Sequence, residues 1–259
     1  MSDIAPFYQK IGREIEVFEH AAKNNLPLLL KGPTGTGKSR FIEYMAHQMN
    51  RTLITVACHE ETSSTDLIGR FIIKGTETVW QDGPLTRAAK EGAIFYLDEI
   101  AEARPDVLVV VHPLTDFRRK LYIDKLGEEI EVAPDFMFVA SFNPGYQMGF
   151  KELKPSTRQR FVSMSFHYPE SNVEIDIVKT ESGVDKSTAS KLVKIAHKVR
   201  NLHELGLSES ISTRLLVDAG KLIASGLPPR LSVEVGMIQP LSDDEDTLTA
   251  LKDLCDLMI

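Results

Sequence analysis

Residues Gly32 to Ser39 read GPTGTGKS and stand between the apolar segment Leu26 to Leu30 and a helical pattern over Lys38 to Met49. This octapeptide fits the pattern GxxxxGK[ST] in the strand, loop and helix context that a phosphate-binding loop requires. Its glycines let successive backbone N–H groups turn toward phosphate oxygens, and the start of a helix favours the same anions. We therefore predict a nucleotide-binding loop that comprises Gly32, Pro33, Thr34, Gly35, Thr36, Gly37, Lys38 and Ser39.

The end of this loop and a second apolar segment supply the groups that hydrolysis requires. Lys38 would bring a positive charge to the β and γ phosphate oxygens, and the Ser39 hydroxyl would ligate Mg²⁺. The run Ala93 to Leu97 reads as a buried strand that delivers Asp98 and Glu99 at its carboxyl end, which is the edge where ligands bind in such sheets. Asp98 is expected to hold Mg²⁺ together with Ser39, and Glu99 to activate the attacking water, so that ATP and Mg²⁺ are the predicted cofactors.

Short apolar segments that alternate with helical or loop segments predict an α/β fold with a parallel sheet. Five segments read as buried strands: Leu26 to Leu30, Leu53 to Ala57, Ala93 to Leu97, Phe136 to Ala140 and Phe161 to Phe166. Alternating patterns around Gly75 and Gly127, over Phe71 to Gln81 and Leu121 to Val132, predict two inserted hairpins. Residues 1–168 are therefore predicted to form the α/β nucleotide-binding domain.

Beyond Tyr168 and Pro169 the apolar residues recur at helical spacing only, which predicts a small helical domain over residues 169–259. The predicted helices of this region are Val173 to Lys179, Ser187 to Leu202, Thr213 to Ser225 and Thr247 to Met258. Ser242 is expected to cap the last of them, with acidic residues in its first turn.

Composition excludes several classes of protein. The 259 residues carry 30 basic and 37 acidic side chains, a net charge of −7, which disfavours a main affinity for nucleic acid. The apolar runs are too short to span a bilayer, and the first residues lack a secretory pattern, so we expect a cytoplasmic protein without a membrane partner. Cys58 and Cys255 lie far apart without metal-ligand spacing, which argues against a disulfide framework or a zinc site.

Four further polar residues are candidates for the catalytic site. Asn143 follows a predicted strand and either holds the lytic water or forms a turn before Pro144. Arg158 and Arg160 precede the last predicted strand, where an arginine can reach the γ-phosphate of a neighbouring subunit, and at least one of the two is expected to form a surface ion pair. Arg214 opens a predicted helix, where a basic residue is unfavourable for the dipole, and it either folds back over the phosphates or is solvated.

The pattern as a whole resembles an AAA+ P-loop ATPase with a helical lid, with Gly32 to Ser39 as Walker A and Asp98 with Glu99 as Walker B. In this resemblance Asn143 is sensor 1, Arg158 and Arg160 are arginine-finger candidates, and Arg214 is sensor 2. Longer strings narrow the resemblance to the MoxR branch of the CbbQ/NorQ type. They are residues 66–70, 80–86, 112–119, 143–147 and 153–161. Phe117 departs from the histidine or other polar residue expected in the string 112–119.

The resemblance implies a homohexamer that couples ATP hydrolysis to remodelling of a client through an adaptor with a von Willebrand factor A domain. For a CbbQ-like protein the client is rubisco, from which inhibitory sugar phosphates are released with a CbbO-like partner. For a NorQ-like protein the client is nitric oxide reductase during maturation. The strings do not separate the two, and we favour the rubisco activase. By the same resemblance Leu67, Ile68, Arg70 and Phe71 either line a central pore or pack in the core, whereas the single tryptophan, Trp80, is expected as a core anchor.

Two other functions share these core motifs. A nucleic-acid motor such as a helicase has the same phosphate loop, but the acidic balance and the lack of clustered basic and aromatic residues count against it. A nucleotide switch with negligible turnover would have no need of a water-activating base such as Glu99 beside Asp98.

Overall fold

The computed structural model describes residues 5–144, 153–201 and 210–256, and of these only residue 256 is described by its backbone alone. Contacts divide these residues into two units, which are described separately. The first contains residues 5–32, 38–144 and 153–166, and the second contains residues 33–37, 167–201 and 210–256. The division falls between Phe166 and His167, whereas the boundary between residues 168 and 169 stays a prediction. Of the residues named from sequence, Gly145, Tyr146, Gln147, Leu202, Leu257 and Met258 lie outside the described part.

The first unit is built from strands and helices in alternation. In chain order its helices and strands are α1 Glu14–Lys23, β1 Leu28–Lys31, α2 Lys38–Gln48, β2 Leu53–Ala57, α3 Ser64–Ile68, β3 Gly69–Lys74, β4 Glu77–Asp82, α4 Pro84–Glu91, β5 Ile94–Asp98, α5 Pro105–Val111, β6 Lys120–Ile123, β7 Glu128–Glu131, β8 Met137–Phe142, α6 Pro155–Arg158 and β9 Val162–Ser165. Short 3₁₀ turns cover Ile100–Glu102 and His112–Leu114.

Strands β2, β5, β8, β1 and β9 form, in that order, one five-stranded sheet in which all neighbours are parallel. Successive residues of each strand point to opposite faces. Leu29 joins one apolar cluster, whereas Leu28 and Leu30 join another. In β5, Phe95 joins the same cluster as Leu29, and Ile94 joins the same cluster as Leu28 and Leu30. Burial on both faces explains the apolar runs of the inner strands β1, β5 and β8, and the predicted sheet is confirmed.

Both predicted hairpins are confirmed. Strands β3 and β4 pair antiparallel from Gly69 opposite Asp82 to Lys74 opposite Glu77, and β6 pairs with β7 in the same way. The first hairpin is largely exposed, and Trp80 is only half-buried against the ring of Phe71, at 5.2 Å between ring centroids. The expectation of Trp80 as a core anchor is therefore wrong, because it lies on an inserted hairpin instead of the central sheet.

The four residues proposed for a pore lie at the end of α3 and in β3, and they differ in burial. Leu67 is fully buried in the core cluster beside the sheet, and Ile68 packs against that cluster. Arg70 and Phe71 are exposed on β3. Packing therefore explains Leu67 and Ile68, while a pore role for Arg70 and Phe71 stays a prediction.

The second unit is helical apart from its loop 33–37. Its helices are α7 Ser171–Ser182, α8 Lys186–Arg200, α9 Thr213–Ala224, α10 Pro229–Val233 and α11 Glu245–Asp256, with a π-helical turn over Glu234–Ile238 and a 3₁₀ turn over Gln239–Leu241. One apolar cluster joins them, including Val178, Ile195, Leu216 and Leu251. The helical character predicted for this region is confirmed.

Capping of α11 differs from the prediction. Asp244 accepts a hydrogen bond from the Thr247 backbone N–H at 2.9 Å, whereas Ser242 accepts one from the Asp244 N–H before the helix begins. Asp244 is therefore the cap, because the helix begins at Glu245, one residue after it. Within the described ranges, none of the helices is long and apolar enough to cross a membrane.

Candidate nucleotide-binding and hydrolytic site

Strands β1, β5 and β8 run in parallel and deliver the predicted site residues at one edge of the sheet. Lys31 ends β1, Asp98 ends β5 and Phe142 ends β8, directly before Asn143. The Gly32 N–H donates to the Phe142 carbonyl at 3.2 Å, which joins the start of the loop to the end of β8. This edge is where ligands bind in sheets of this topology.

The start of the loop allows no side chain. A Cβ at Gly32 would lie 2.2 Å from the Phe166 carbonyl oxygen, closer than any side chain could be accommodated. Lys38, the first residue of α2, is largely buried and its ammonium group donates to the Gly32 carbonyl at 2.7 Å. The Lys38 side chain thereby reaches back to the first residue of the loop.

The middle of the loop, Pro33–Gly37, belongs to the second unit. The Thr36 hydroxyl donates to the Pro33 carbonyl at 2.9 Å, which holds the turn. Gly35 has a φ of +72°, and a Cβ there would lie 2.6 Å from the Ser212 hydroxyl oxygen and 3.5 Å from the Arg214 Cβ. Only glycine combines this backbone conformation with so close an approach. The structure thus brings Arg214, which is exposed in the first turn of α9, beside the loop.

Asp98 is held by three hydroxyl groups. Ser39 donates to its Oδ2 at 3.2 Å, Tyr96 donates to its Oδ1 at 2.7 Å, and Ser141 donates to the same Oδ1. Tyr96 and Ser141 are almost fully buried. Burial and the neighbouring Asp98 carboxylate raise the pKa of the Tyr96 hydroxyl, so it remains a protonated donor. The structure therefore fixes the Asp98 carboxylate next to Ser39.

Ser39 and Asp98 together match what Mg²⁺ prefers as ligands. Mg²⁺ binds hard oxygen donors and usually takes one or two from protein, with phosphates and water completing the shell. A hydroxyl oxygen and a carboxylate oxygen 3.2 Å apart provide this pair. The two residues therefore fit a Mg²⁺–nucleotide complex, and their ligand role stays a prediction.

Glu99 follows in a left-handed conformation, with φ of +55° and ψ of +49°. Non-glycine residues seldom adopt it, and when held there they cluster at functional sites. The Glu99 N–H donates to the Ser141 hydroxyl at 2.9 Å, so that Ser141 fixes Asp98 and Glu99 together. Asn143 lies two residues after Ser141 at the end of the same strand, and it is partly buried. The structure thus joins the predicted Walker B residues through Ser141, and the predicted sensor 1 residue follows this serine by two positions in the chain.

The two candidate arginines occupy different environments. Arg158 ends the short helix α6 and is exposed. Arg160 is only 31% exposed and donates to Asp116 at 3.0 Å. Asp116 also accepts from Arg118, and these hydrogen bonds, with Arg118 the strongest, hold the pKa of its carboxyl well below the usual range. Arg160 therefore forms the ion pair expected of one of the two.

Sequence reasoning missed several residues that contact the predicted site. Tyr96 stands two positions before Asp98, so strand alternation places both side chains on one face, and this signal could have found it. Ser141 could have been found in the same way, two positions before Asn143. Tyr168, whose hydroxyl donates to the Thr34 carbonyl at 3.4 Å, gave no pattern that could be recognised.

Known families and proteins match most of the chain. Residues 27–161 match the family described as AAA domain (dynein-related subfamily), and residues 174–258 match the family described as CbbQ/NirQ/NorQ C-terminal. The chain is 57% identical to protein NorQ of Paracoccus denitrificans, over 96% of this chain and 93% of that one. It is 56% identical to protein CbbQ of Hydrogenophilus thermoluteolus, over 95% and 92%. It is 50% identical to the denitrification regulatory protein NirQ of Pseudomonas aeruginosa, over the whole of both chains.

Solved structures share the fold at low sequence identity. A putative ATPase from Cytophaga hutchinsonii matches with a TM-score of 0.54 at 13% identity, over 96% of this chain and 90% of that one. A variant of RuvB from Thermotoga maritima matches with a TM-score of 0.57 at 16% identity, over 95% and 71%. At these identities the similarity shows the fold alone. The family matches and the full-length relatives go further: this chain is a member of the CbbQ/NirQ/NorQ family, of the MoxR type, and is an ATP-hydrolysing enzyme with an AAA+ fold.

Proposed function

We propose that this ATPase is a remodelling motor that hydrolyses Mg²⁺–ATP between neighbouring subunits and uses the energy to act on a client protein. The observation that carries the proposal is the arrangement at the end of β5. There Ser39, Tyr96 and Ser141 hold Asp98, and Ser141 also fixes the backbone of Glu99. A carboxylate held for a metal, directly followed in the chain by a second carboxylate that can serve as a base, suits hydrolysis better than a binding switch.

ATP would bind along the loop 32–39. Backbone N–H groups of the loop and the start of α2 would surround the phosphates, and Lys38 would exchange its bond to the Gly32 carbonyl for phosphate oxygens. Ser39 and Asp98 would hold Mg²⁺, which supplies neutralisation of charge on the β and γ phosphates when bound. Glu99 would accept a proton from the attacking water, and the Asn143 amide would orient that water.

We assign the arginine supplied in trans to Arg158. Arg160 is paired with Asp116 within its own subunit, and releasing it would leave the Asp116 carboxylate with Arg118 alone. Arg158 is exposed at the end of α6. Contacts from His112 to Thr157, at 3.4 Å, and from Asp116 to Arg160 hold the residues on either side of Arg158, so that it would be presented outward on a fixed segment.

Head-to-tail interfaces let every subunit supply an arginine to its neighbour's nucleotide, and they form a ring when the rotation closes. We propose a homohexamer, as the family resemblance implies, with an adaptor that carries a von Willebrand factor A domain. In this assembly each nucleotide would contact Arg214 of the subunit that binds it, supported by the proximity of Arg214 to Gly35.

For the client we propose two candidates. Similarity to CbbQ, at 56% identity, favours rubisco, from which the motor would release inhibitory sugar phosphates with a CbbO-like adaptor. Similarity to NorQ, at 57%, and to a NirQ named for denitrification favours nitric oxide reductase. The two identities differ too little to rank the clients, so the experiment has an arm for each.

The test combines the purified chain with its adaptor and ATP, and presents either rubisco inhibited by ribulose bisphosphate or immature nitric oxide reductase. Recovery of one enzyme's activity that requires ATP and the adaptor identifies the client. Lys38→Ala should abolish the recovery, while Lys23→Ala, a change at an exposed lysine at the end of α1, controls for the loss of a lysine. Hydrolysis at full rate by isolated monomers would refute the proposed assembly.

A further inference from the structure

We propose that Glu174 and Arg200 are positioning residues for Arg214, which they hold beside the phosphate loop by fixing the backbone that enters α9. The inference rests on the proposed role of Arg214 toward the bound nucleotide. It concerns residues of the second unit alone, which includes the loop residues Pro33–Gly37.

The first observation is a fully buried carboxylate in α7. Glu174 has no exposed surface, and it receives two parallel hydrogen bonds from the Arg200 guanidinium, at 2.8 and 2.7 Å. His197 lies 3.5 Å from the same carboxylate. A buried charge is costly unless it is paired and hydrogen-bonded, and the bidentate geometry is the strong form of such a pair.

The second observation is where the remaining hydrogen bonds of this pair go. The Thr213 hydroxyl donates to Glu174 Oε1 at 2.6 Å, and Arg200 Nε donates to the Ile211 carbonyl at 2.8 Å. Ile211 and Thr213 flank Ser212, the cap of α9, and Thr213 directly precedes Arg214. The ion pair therefore holds the backbone before the cap, at Ile211, and the side chain after it, at Thr213.

The third observation connects the same pair to the phosphate loop. The Arg200 guanidinium lies over the Tyr168 ring, 4.0 Å from its centroid, and the Tyr168 hydroxyl donates to the Thr34 carbonyl at 3.4 Å. Ser212 meets the loop directly, since a Cβ at Gly35 would lie 2.5 Å from the Ser212 Cβ. The loop and the start of α9 are thus tied to one another and to one buried pair.

Stability alone does not account for this arrangement. Apolar side chains of similar volume would often stabilise a helical core at least as well as a buried ion pair. Unlike apolar side chains, both charged groups of the pair form a hydrogen bond with the segment that carries Arg214. We infer that these hydrogen bonds fix the position of that segment and so keep Arg214 beside the loop.

The experiment uses Thr213→Val, which removes one hydroxyl and retains the size of the side chain, in the full-length chain. A nitroxide label at position 214, attached through Arg214→Cys, reports the order of the first turn of α9 by electron paramagnetic resonance. Cys58 and Cys255 are buried and leave position 214 as the site that reacts. Thr86→Val is the matched control, since Thr86 is a buried threonine that donates to the Ile68 carbonyl in the first unit.

We expect Thr213→Val and Arg200→Lys to increase the mobility of the label, and Thr86→Val to leave it unchanged. Unchanged mobility in both variants, with the fold retained by circular dichroism, would overturn the positioning role. This readout does not depend on hydrolysis, so the inference can fail while the proposed function stands.

ATP hydrolysis by the unlabelled variants provides the second arm. Thr213→Val should lower kcat about tenfold, the effect of one hydrogen bond to a charged group, and should have no further effect when Arg214→Ala is already present. Equal reductions in both backgrounds would mean that Thr213 does not act through Arg214, and would refute the inference. If Arg214→Ala alone leaves kcat unchanged while label mobility still rises, the proposed role of Arg214 is wrong and the positioning of residue 214 is retained.

Discussion

Replacing Tyr96 by phenylalanine tests whether the buried hydroxyls around Asp98 prepare a Mg²⁺ site. The Tyr96 ring is almost fully buried, so phenylalanine occupies the same space and the change removes only the hydroxyl, 2.7 Å from Asp98 Oδ1. Asp98 keeps its bonds from Ser39 and Ser141.

The expected size of the effect follows from the bond to Asp98, which is shorter than the 3.3 Å contact of the same hydroxyl with Ser39 Oγ. A hydrogen bond to a charged group contributes about 1.5–3 kcal/mol, and we expect the lower end because two donors to Asp98 remain. About 1.4 kcal/mol corresponds to a factor of ten, and loss of a group that orients a metal ligand typically costs about 10–100-fold in metal affinity. The Mg²⁺ concentration that half-saturates nucleotide binding should therefore rise about tenfold.

Fluorescence titration of a labelled ATP analogue with Mg²⁺ measures this concentration without depending on turnover. Tyr122→Phe is the matched control, because Tyr122 is 38% exposed on the β6–β7 hairpin. Half-saturation at the wild-type Mg²⁺ concentration in a folded Tyr96→Phe variant would refute the reasoning, and so would an equal rise in the control.

Three further predictions concern reactivity, pH and packing. Burial, and then the charges of Asp98 and Glu99, raise the pKa of the Cys58 thiol to about 12, so iodoacetamide at pH 8 should leave it unmodified in the folded chain, as mass spectrometry would show. Asp185 caps α8, and hydrogen bonds from Thr188 and Ser187 lower the pKa of its carboxyl group. Asp185→Ala should therefore lower the free energy of unfolding, measured by urea denaturation, and the loss should be largest above the pKa of a free aspartate. The loss should vanish as the pH falls through the lowered pKa. Leu29→Ala, in the centre of the sheet, should lower the free energy of unfolding by about 2–5 kcal/mol in the same assay.

Local patterns were sufficient to predict the elements that carry the site. The apolar runs that became β1, β5 and β8 are buried on both faces, and the residues at their ends follow from strand direction. The phosphate loop and the Walker B carboxylates could be predicted from the residues next to them in sequence, because glycines and the end of a strand determine where they lie.

Contacts between distant segments could not be predicted in this way. Ser141 reaches Asp98 because Leu97 pairs with Ala140 across β5 and β8, a register that neither strand specifies alone. The pairing of Asp116 with Arg160, and that of Glu174 with Arg200, likewise depends on how helices and loops pack. Trp80 was misjudged for a related reason, since its size suggests a core position but its hairpin lies outside the sheet.

Restoration of activity by mixing two inactive variants tests the account most directly. Glu99→Gln removes the proposed base from the subunit that binds ATP, and Arg158→Ala removes the proposed arginine from its neighbour, so each variant alone should bind ATP with hydrolysis close to background. In rings assembled from equal amounts of both, about one interface in four should combine an intact Glu99 with an intact Arg158, and ATP hydrolysis should return. Mixed assemblies that remain inactive would contradict a site shared between subunits.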